Sequence, residues 1–374
     1  MKKPTRPTHA VIHLNALEEN LEGIRRHVGS NVEVRAVVKA NAYGHGAVPV
    51  AKFLEKKKVK FFGVAYPEEA VELRQAGIRG HLLVFTLSAD SQVELLFTHH
   101  LQATVSSVDD VQKLQRHAAK VKKTLPIHLK IDTGMNRIGT TLSLLNDVLQ
   151  AVKTASRLQL VGVFTHFASA DERDKTFTHQ QLIKFNQAVD AVRAYRLEPR
   201  YIHCANSAAI LDIPESRFNM VRPGISLYGY YPSYEVSHSI RLKPVMSIQT
   251  RVALVKVLEM GETVSYGRRY VAQRKTRIAT IPVGYADGVS RLLTGKMSAL
   301  IHGRRFPVVG TICMDQCMVD VGKEEIGVGA EVVLIGEQGD HHITAQEWAD
   351  KLGTIPYEIC CGITSRVPRI YEYL

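Results

Sequence analysis

Cysteine is scarce in this sequence of 374 residues. The five cysteines are Cys204, Cys313, Cys317, Cys360 and Cys361. An odd number of cysteines in a chain of this length does not predict a disulfide framework. Cys313 and Cys317 are four positions apart and Cys360 and Cys361 are adjacent, so neither pair has a convincing zinc spacing without matching histidines. We therefore expect reduced thiols in a cytoplasmic protein, with no bound metal.

Long apolar runs are also absent. No stretch of about 18 uncharged apolar residues occurs, so we expect no membrane span. The N-terminal stretch "MKKPTRPTHAVIHLN" is basic, but it has no apolar segment long enough for a signal peptide. With 45% hydrophobic and 22% charged residues, the composition is that of an ordinary globular protein, and the length predicts two domains.

Acidic residues are outnumbered by basic ones, 36 against 48, which gives a formal net charge of +12. A basic chain is compatible with nucleic-acid binding. The basic clusters, however, lie at 55–60 and 119–123, and no aromatic residues alternate with them. A solvated basic surface explains this pattern better, and we expect no nucleic-acid partner.

The first 230 or so residues alternate between short β-branched runs and longer amphipathic stretches. The candidate strands are 34–39, 60–66, 81–87, 101–107, 125–132, 158–167, 200–206 and 220–229. Helical pattern follows seven of the eight, which is typical of parallel βα units and predicts an α/β fold with a closed (β/α)8 barrel. The alternative is an open, doubly wound sheet. That fold favours a G-x-G-x-x-G turn after its first strand, and "KANAYGHG" does not match.

After about Lys243 the pattern changes to short β runs separated by glycines. Helical pattern returns only at "TAQEWADKLG". We predict a barrel domain over residues 1–240 and a mostly β domain over 241–374, with the first ten or so residues as a candidate strand of the second domain.

Polar side chains stand at the predicted ends of several barrel strands, where barrel enzymes place their catalytic groups. These residues are Lys39, Lys130, Asp132, Arg137, His166, Asn206, Ser207 and Arg222. Ser207 and the amides of Gly224 and Ile225 follow the last two strands, where barrels commonly bind phosphate, and Tyr43 lies in the loop after Lys39. Each residue alone is more simply a surface charge, a helix cap or a core residue. Together, a phosphate site facing a lysine suggests pyridoxal 5′-phosphate (PLP) bound to Lys39 as a Schiff base.

The sequence closely resembles the alanine racemase family, PLP enzymes of fold type III. The motifs that carry the resemblance are "AVVKANAYGHG" (36–46), "KIDTGMNRIG" (130–139), "FTHFASAD" (164–171), "HCANSAA" (203–209), "RPGISLYG" (222–229), "VSYGRRY" (264–270), "VGYADG" (283–288), "GTICMDQCMVDVG" (310–322) and "YEIC" (357–360). They follow the family's order over nearly the whole chain, and a β domain after the barrel is a family feature too.

The resemblance implies a set of roles around PLP. Lys39 carries the cofactor, Arg222 faces the pyridine nitrogen, and His166 contacts both Arg222 and Tyr266. The residues implied for the phosphate are Tyr43, Ser207, Gly224, Ile225 and Tyr357. An arginine at the pyridine nitrogen leaves PLP a weaker electron sink, which disfavours transamination.

The resemblance also implies how alanine is bound and deprotonated. Arg137 and the amide of Met314 hold the substrate carboxylate, and Lys130 occupies a position that is often carbamylated. Lys39 serves the D-alanine proton, and Tyr266 from the second subunit of a homodimer serves the L-alanine proton. An ordinary phenol keeps its proton at neutral pH, so Tyr266 needs cationic neighbours, and His166 and Arg222 suit that purpose.

Three alternatives stay open at this level. One is an amino-acid decarboxylase on the same fold, although such enzymes tend to place a carboxylate rather than an arginine at the pyridine nitrogen. A second is a non-catalytic PLP-handling barrel protein, which lacks a β domain with a tyrosine like Tyr266. The third is a broader or serine-preferring racemase. Tyr357 and the region of Met314 would crowd a long side chain, which favours alanine and hence D-alanine supply for peptidoglycan.

Overall fold

The computed structural model describes residues 5–373 and separates the chain into two compact units. The barrel unit contains Glu18–Ala42 and Ala47–Lys243. The β unit contains the described residues up to Leu17, the segment Tyr43–Gly46, and the described chain from Pro244 onward. The sequence pattern had predicted the boundary between residues 240 and 241. Residues 1–4 and 374 of the predicted ranges lie outside the described part.

The barrel unit is a closed ring of parallel strands. The first strand of the chain, β1 (His9–His13), belongs to the β unit. The strands of the barrel are β2 (Glu33–Val37), β3 (Phe61–Val64), β4 (His81–Val84), β5 (Ala103–Val105), β6 (Leu125–Lys130), β7 (Leu158–Phe164), β8 (Tyr201–His203) and β9 (Met220–Val221). They form the parallel sheets β4-β3-β2-β9 and β5-β6-β7-β8. The amide of Gln102 donates to Leu82 at 2.8 Å, and the amide of Arg222 donates to Ala205 at 3.0 Å. These bonds join the two sheets at both edges, so the predicted barrel is confirmed.

Helices follow the strands as the sequence pattern predicts. They are α1 (Leu14–Val28), α2 (Lys39–Tyr43), α3 (Ala47–Lys56), α4 (Pro67–Gln75), α5 (Val93–Thr98), α6 (Val108–Val121), α7 (Leu145–Thr154), α8 (Thr176–Ala194) and α9 (Ser207–Asp212). In α6 the side chain of Ser107 accepts a bond from the amide of Asp110, and Val111, Leu114 and Ala118 form the buried face. Such a cap and an apolar face at helical spacing specify where a helix begins and which side packs on the barrel.

Among the helices within residues 5–373, α2 differs from the other α-helices because its residues are in the left-handed conformation. Ala40, Asn41, Ala42 and Tyr43 have φ angles between 51° and 54°. Each L-residue in this conformation costs roughly 1–2 kcal/mol. Two hydrogen bonds to side chains hold the turn: the amide of Ala40 donates to the distant Glu69 at 2.7 Å, and the side chain of Asn41 accepts from the amide of Ala47 at 2.8 Å. Nothing in the local sequence pattern indicated this conformation.

The β unit is built on a ten-stranded sheet in the order β11-β14-β17-β16-β15-β18-β10-β1-β20, with β19 paired to β18. Beyond β1, the strands of the β unit are β10 (Met246–Arg251), β11 (Leu254–Leu258), β12 (Thr263–Val264), β13 (Tyr270–Val271), β14 (Thr276–Ile281), β15 (Ser298–Ile301), β16 (Arg304–Val309), β17 (Cys317–Gly322), β18 (Glu331–Gln338), β19 (His341–Ile343) and β20 (Arg369–Glu372). Of these, β12 and β13 pair with each other in a separate two-stranded sheet. Two helices, α10 (Ala345–Leu352) and α11 (Pro356–Gly362), complete it. Strand β1 pairs antiparallel with β10 and parallel with β20.

The segment Tyr43–Gly46 joins the β unit through β20. The carbonyl of Gly44 accepts from the guanidinium of Arg369 at 3.0 Å, and the carbonyl of His45 accepts from the hydroxyl of Tyr371 at 3.1 Å. None of the helices within residues 5–373 is both long and apolar enough to cross a membrane.

Candidate active site

Arg222 follows β9 and is buried in the barrel unit. Its guanidinium donates to the carbonyls of His203 at 2.7 Å, Thr165 at 2.7 Å and Cys204 at 3.0 Å, and it also contacts Nδ1 of His203 at 3.0 Å. Burial lowers the pKa of Arg222 to about 10, so the group remains a cation at neutral pH. Carbonyls at the carboxyl ends of two strands therefore fix a positive charge where barrel enzymes bind their ligands.

His166 lies beside this cation, with its Nδ1 atom 3.4 Å from the guanidinium of Arg222. Burial, and then the charges of Arg222, Lys130, Arg137 and Lys39, hold the pKa of His166 well below its ordinary value. His166 is therefore neutral at pH 7 and can only accept a bond from Arg222 through Nδ1. Of the two neighbours expected to stabilise a phenolate at Tyr266, Arg222 is therefore the charged one in the single chain.

Lys130 is the last residue of β6, only 4% exposed, with its Nζ atom 5.0 Å from the ring centre of Phe164. Burial, Arg222 and Arg137 together lower the pKa of Lys130 well below its ordinary value. Asp132 acts in the opposite direction, but its carboxylate already accepts bonds from the amides of Gly134 and Asn136, at 2.9 and 3.1 Å. The surroundings of Lys130 thus favour a neutral amine.

Arg137 is exposed and lies in the loop that leaves β6. The end of the loop pairs with the end of its own strand. The backbone amide of Thr140 donates to the carbonyl of Lys130 at 2.9 Å, and the backbone amide of Asp132 donates to the carbonyl of Thr140 at 2.8 Å. The effect of Arg137 on the pKa of both Lys130 and His166 places its charge within electrostatic reach of the two side chains.

Lys39 is half-buried and begins α2, two residues after β2 ends. Strand β2 pairs with β9, and the amide of Val37 donates to the carbonyl of Pro223 at 3.1 Å. This closure of the barrel brings the lysine from the first strand of the ring to the same end as Arg222 from the last.

A group of hydrogen-bonding atoms follows β8 and β9. The hydroxyl of Ser207 accepts from the amide of Gly224 at 2.9 Å, and from the amide and hydroxyl of Ser226 at 3.3 and 3.0 Å. Ile225 lies between these two residues and is fully buried. Ser207 accepts in all three bonds, so its own hydroxyl proton can still be donated, and donors gathered at one point beside a helix start suit a phosphate. With the cation of Arg222 and the amine of Lys39 in the same unit, the residues fit PLP.

Tyr43 and Tyr357 belong to the β unit, with ring centres 5.9 Å apart. Tyr43 is buried, and burial followed by the charge of Cys361 raises the pKa of its hydroxyl. The hydroxyl of Tyr43 therefore keeps its proton and can act as a hydrogen-bond donor.

Tyr266 and Met314 are also in the β unit, and both side chains are exposed, by 72% and 52%. The backbone that carries them is well fixed: Thr311 donates to the carbonyl of Tyr266 at 2.8 Å, and Ser265 donates to that of Thr311 at 2.7 Å. The carbonyl of Met314 accepts from Ala286 at 3.1 Å. A large aromatic side chain on a rigid turn, facing solvent, is suited to contact a second molecule.

Two residues behind Arg222 were not predicted from the sequence. His203 and His128 are both fully buried, with Nε2 of His203 3.0 Å from Nδ1 of His128. His203 stands in the motif "HCANSAA", but nothing in its local pattern indicated that its ring faces Arg222.

Two family models match the chain in succession. The model for the alanine racemase N-terminal domain matches residues 12–232, and the model for the alanine racemase C-terminal domain matches residues 245–371. The chain belongs to the alanine racemase family. Membership in this family makes it an enzyme of the isomerase class.

Relatives and solved structures of the family match almost the full length. The alanine racemase of Halothermothrix orenii is 46% identical over 372 residues, covering 99% of this chain and 98% of that protein. The structure of the Clostridium difficile 630 alanine racemase has a TM-score of 0.95 at 40% identity, covering 99% of this chain and 97% of that one. The Bacillus anthracis alanine racemase, solved with bound L-Ala-P, has a TM-score of 0.94 at 37% identity, with coverages of 99% and 96%.

Proposed function

We propose that this chain interconverts L-alanine and D-alanine with PLP carried by Lys39. Membership in the alanine racemase family supports the reaction. The observation that carries the cofactor assignment is the buried guanidinium of Arg222, held by three carbonyls at the barrel end where Lys39 also lies. In this proposal the enzyme works in the cytoplasm as a homodimer and supplies D-alanine for peptidoglycan.

Each part of the cofactor has a matching group in this chain. Ser207, Gly224 and Ile225 bind the phosphate, and we assign the same role to the hydroxyls of Tyr43 and Tyr357. Bound PLP supplies the electron sink that acidifies the α-proton of the amino acid. Arg222 would donate to the pyridine nitrogen and so leave that nitrogen unprotonated, which would limit the electron sink and disfavour transamination.

The substrate and the moving proton are handled by other side chains. Arg137 and the amide of Met314 hold the carboxylate of alanine. Lys39 removes or returns the proton on the D face, and Tyr266 of the partner subunit does so on the L face. Two bases on opposite faces avoid the reorientation that a single base would need between removing and returning the proton.

Lys130 is proposed to be carbamylated. Only a neutral amine attacks CO2, and the lowered pKa of Lys130 provides one. The product is an anion, which the nearby cations Arg137 and Arg222 would stabilise. Carbon-13 spectra of the protein in labelled bicarbonate test this: a carbamate signal that disappears in Lys130→Ala is expected, and its absence from the unmodified protein would refute the modification.

The decisive experiment for the reaction is incubation with L-alanine in D2O, following chirality and α-deuterium together. We expect D-alanine that carries deuterium at the α-carbon, and CO2 release without D-alanine would refute the proposal. Borohydride reduction followed by peptide mapping tests the cofactor separately. PLP is expected on the peptide containing Lys39, and PLP fixed to another lysine would refute the assignment.

A further inference from the structure

Behind Arg222, a line of buried polar side chains crosses the interior of the barrel. From Arg222 the contacts run to His203 at 3.0 Å, to His128 at 3.0 Å, and to the side-chain oxygen of Gln102 at 3.1 Å. Arg35 donates to the same oxygen at 3.2 Å. All five side chains are at most 6% exposed. We call Arg222, His203, His128, Gln102 and Arg35 the relay.

The two ends of the relay determine the direction of every bond in it. A guanidinium only donates, so Nδ1 of His203 must accept from Arg222. The proton of a neutral His203 is then on Nε2 and is donated to Nδ1 of His128. His128 in turn carries its proton on Nε2 and donates to the oxygen of Gln102, which can only accept. Both imidazoles are therefore held as the same neutral tautomer.

The charges around the relay oppose protonation of either imidazole. Burial and the cations Arg35 and Arg222 lower the pKa of His128 well below its ordinary value, with a smaller contribution from His81. His203 has its pKa lowered by burial, Arg222, His128, Arg35 and Lys130. A proton added to either ring would also place two donors against each other, which a buried site tolerates poorly.

Gly162 on β7 leaves room for the ring of His128 because it has no side chain. A Cβ atom at that position would lie 2.1 Å from Nδ1 of His128, closer than real atoms approach. The ring of His203 is also stacked on Phe164, with centres 5.0 Å apart and planes 10° apart. The two rings are thus fixed by packing as well as by hydrogen bonds.

We propose that His128 and Gln102 are positioning residues, which hold His203 as a permanent acceptor for Arg222 and so fix the direction of its guanidinium. The effect on catalysis rests on the proposed function, because it acts through the group that we assign to the pyridine nitrogen. The state of the imidazoles does not rest on it, and it can be measured separately.

The first test is a side-chain 15N NMR measurement on the PLP-loaded enzyme, with signals assigned by substitution. Both His128 and His203 are expected to have a protonated Nε2 and a bare Nδ1, unchanged from about pH 6 to about pH 9. His128→Leu removes the acceptor of the Nε2 proton of His203, so the Nε2–H signal of His203 is expected to shift to that of a proton without an acceptor, while Nδ1 stays bare because Arg222 only donates. His128→Gln, which can accept and donate in the same direction, is expected to preserve the wild-type signal of His203.

The second test is steady-state kinetics on the same variants. His128→Leu is expected to lower kcat for L-alanine about tenfold with KM within about twofold, and His128→Gln to recover most of the loss. Thr104→Val is the matched control, because its buried hydroxyl donates only to the carbonyl of Val84, at 2.6 Å, and lies outside the relay. Gln102→Leu removes the acceptor of the Nε2 proton of His128, serves if His128→Leu does not fold, and is expected to shift the Nε2–H signal of His128 in the same way.

Three results would overturn the proposal. They are a wild-type imidazole that is protonated at Nδ1 or titrates in this range, unchanged Nε2–H signals of His203 in His128→Leu and of His128 in Gln102→Leu, and kinetics of His128→Leu equal to those of Thr104→Val. An enzyme with the expected imidazole signals but no racemisation would instead contradict the proposed function, and the relay would stand.

Discussion

Among individual residues, the proposed chemistry divides between Lys39 and Tyr266, which serve opposite faces of one carbon atom. The two belong to different units of the chain. Lys39 is half-buried at a strand end, whereas Tyr266 is exposed on a fixed turn. Because each base is proposed to act on one enantiomer, its removal should affect the two substrates unequally.

Tyr266→Phe is expected to slow net racemisation at least about a hundredfold in both directions, since turnover needs both bases. Exchange of the α-proton with D2O should fall much more for L-alanine than for D-alanine, which still meets Lys39. Tyr234→Phe, with an equally exposed side chain (72%), is the control. Equal loss of exchange from both enantiomers would contradict the two-base assignment.

Three buried or half-buried histidines make stability depend on pH in a calculable direction. The pKa values of His128, His166 and His203 are all lowered, mainly by burial. The unfolded chain binds protons at these sites below about pH 6.5, where the folded chain does not. The stability that depends on these neutral histidines is therefore fully present above about pH 6.5. It decreases as the pH falls below that value toward the lowered pKa values of the folded state.

We expect the free energy of unfolding to fall between about pH 7 and about pH 5, by up to about 1.4 kcal/mol per pH unit for each such histidine. Urea titrations over this range measure the slope. His128→Gln should make the slope smaller by about one proton, whereas the exposed His341→Gln should not. A slope in His128→Gln as steep as in the wild type would contradict the buried, neutral state of His128.

At the scale of an element, the left-handed turn α2 is the most unusual feature of the barrel unit. Alanine favours the right-handed helix, yet Ala40 and Ala42 both have positive φ. The conformation persists because Glu69 and Asn41 bind the backbone amides of Ala40 and Ala47. Strain of this kind is found where the surrounding structure fixes a functional group, here Lys39 at the start of the turn.

Ala40→Gly is expected to raise the free energy of unfolding by about 0.5–1 kcal/mol, since glycine adopts this conformation without the steric cost of a Cβ. The control is the same change at Ala119, which is exposed within the right-handed helix α6. There glycine should destabilise by about 1 kcal/mol. Denaturant titrations of both variants test the sign, and destabilisation by Ala40→Gly would show that α2 is not strained.

At the scale of the whole molecule, the proposal requires two chains. Tyr266 is exposed in the single chain and is proposed to complete the site of a partner subunit. Complementation between inactive variants distinguishes a shared site from one formed within a single chain.

Lys39→Ala and Tyr266→Phe homodimers are each expected to be inactive, and subunit exchange between them should restore activity. In the mixed dimer one site has the intact Lys39 of one chain and the intact Tyr266 of the other, so an equal mixture should recover about a quarter of wild-type activity. If both residues of a site came from one chain, no mixed dimer would contain a complete site, and mixing would recover nothing.

The sequence alone was enough to predict the repeated βα units of the barrel and the series of short β-strands after about Lys243. Both depend on local periodicity, on caps such as Ser107, and on turn residues such as Gly77, which the structure places at φ +91° after α4. The site residues were found in part by the same logic, since Lys130 and Arg222 stand at strand ends. Their roles came from the order of motifs in the family, and those roles stay predictions.

The tertiary structure alone decided the charge states and the contacts behind the site. His128 and His203 are 75 residues apart, and His203 and Arg222 are 19 apart, so no local pattern predicts that closure of the barrel lines up their side chains. The neutral state of His166 and the favoured neutral amine of Lys130 depend on burial and on cations from other strands. The left-handed turn at Ala40 opposes the preference of its own residues, because long-range bonds to Glu69 outweigh local propensity. Local pattern determines which elements form, and the closed barrel determines which side chains meet and in what state of charge.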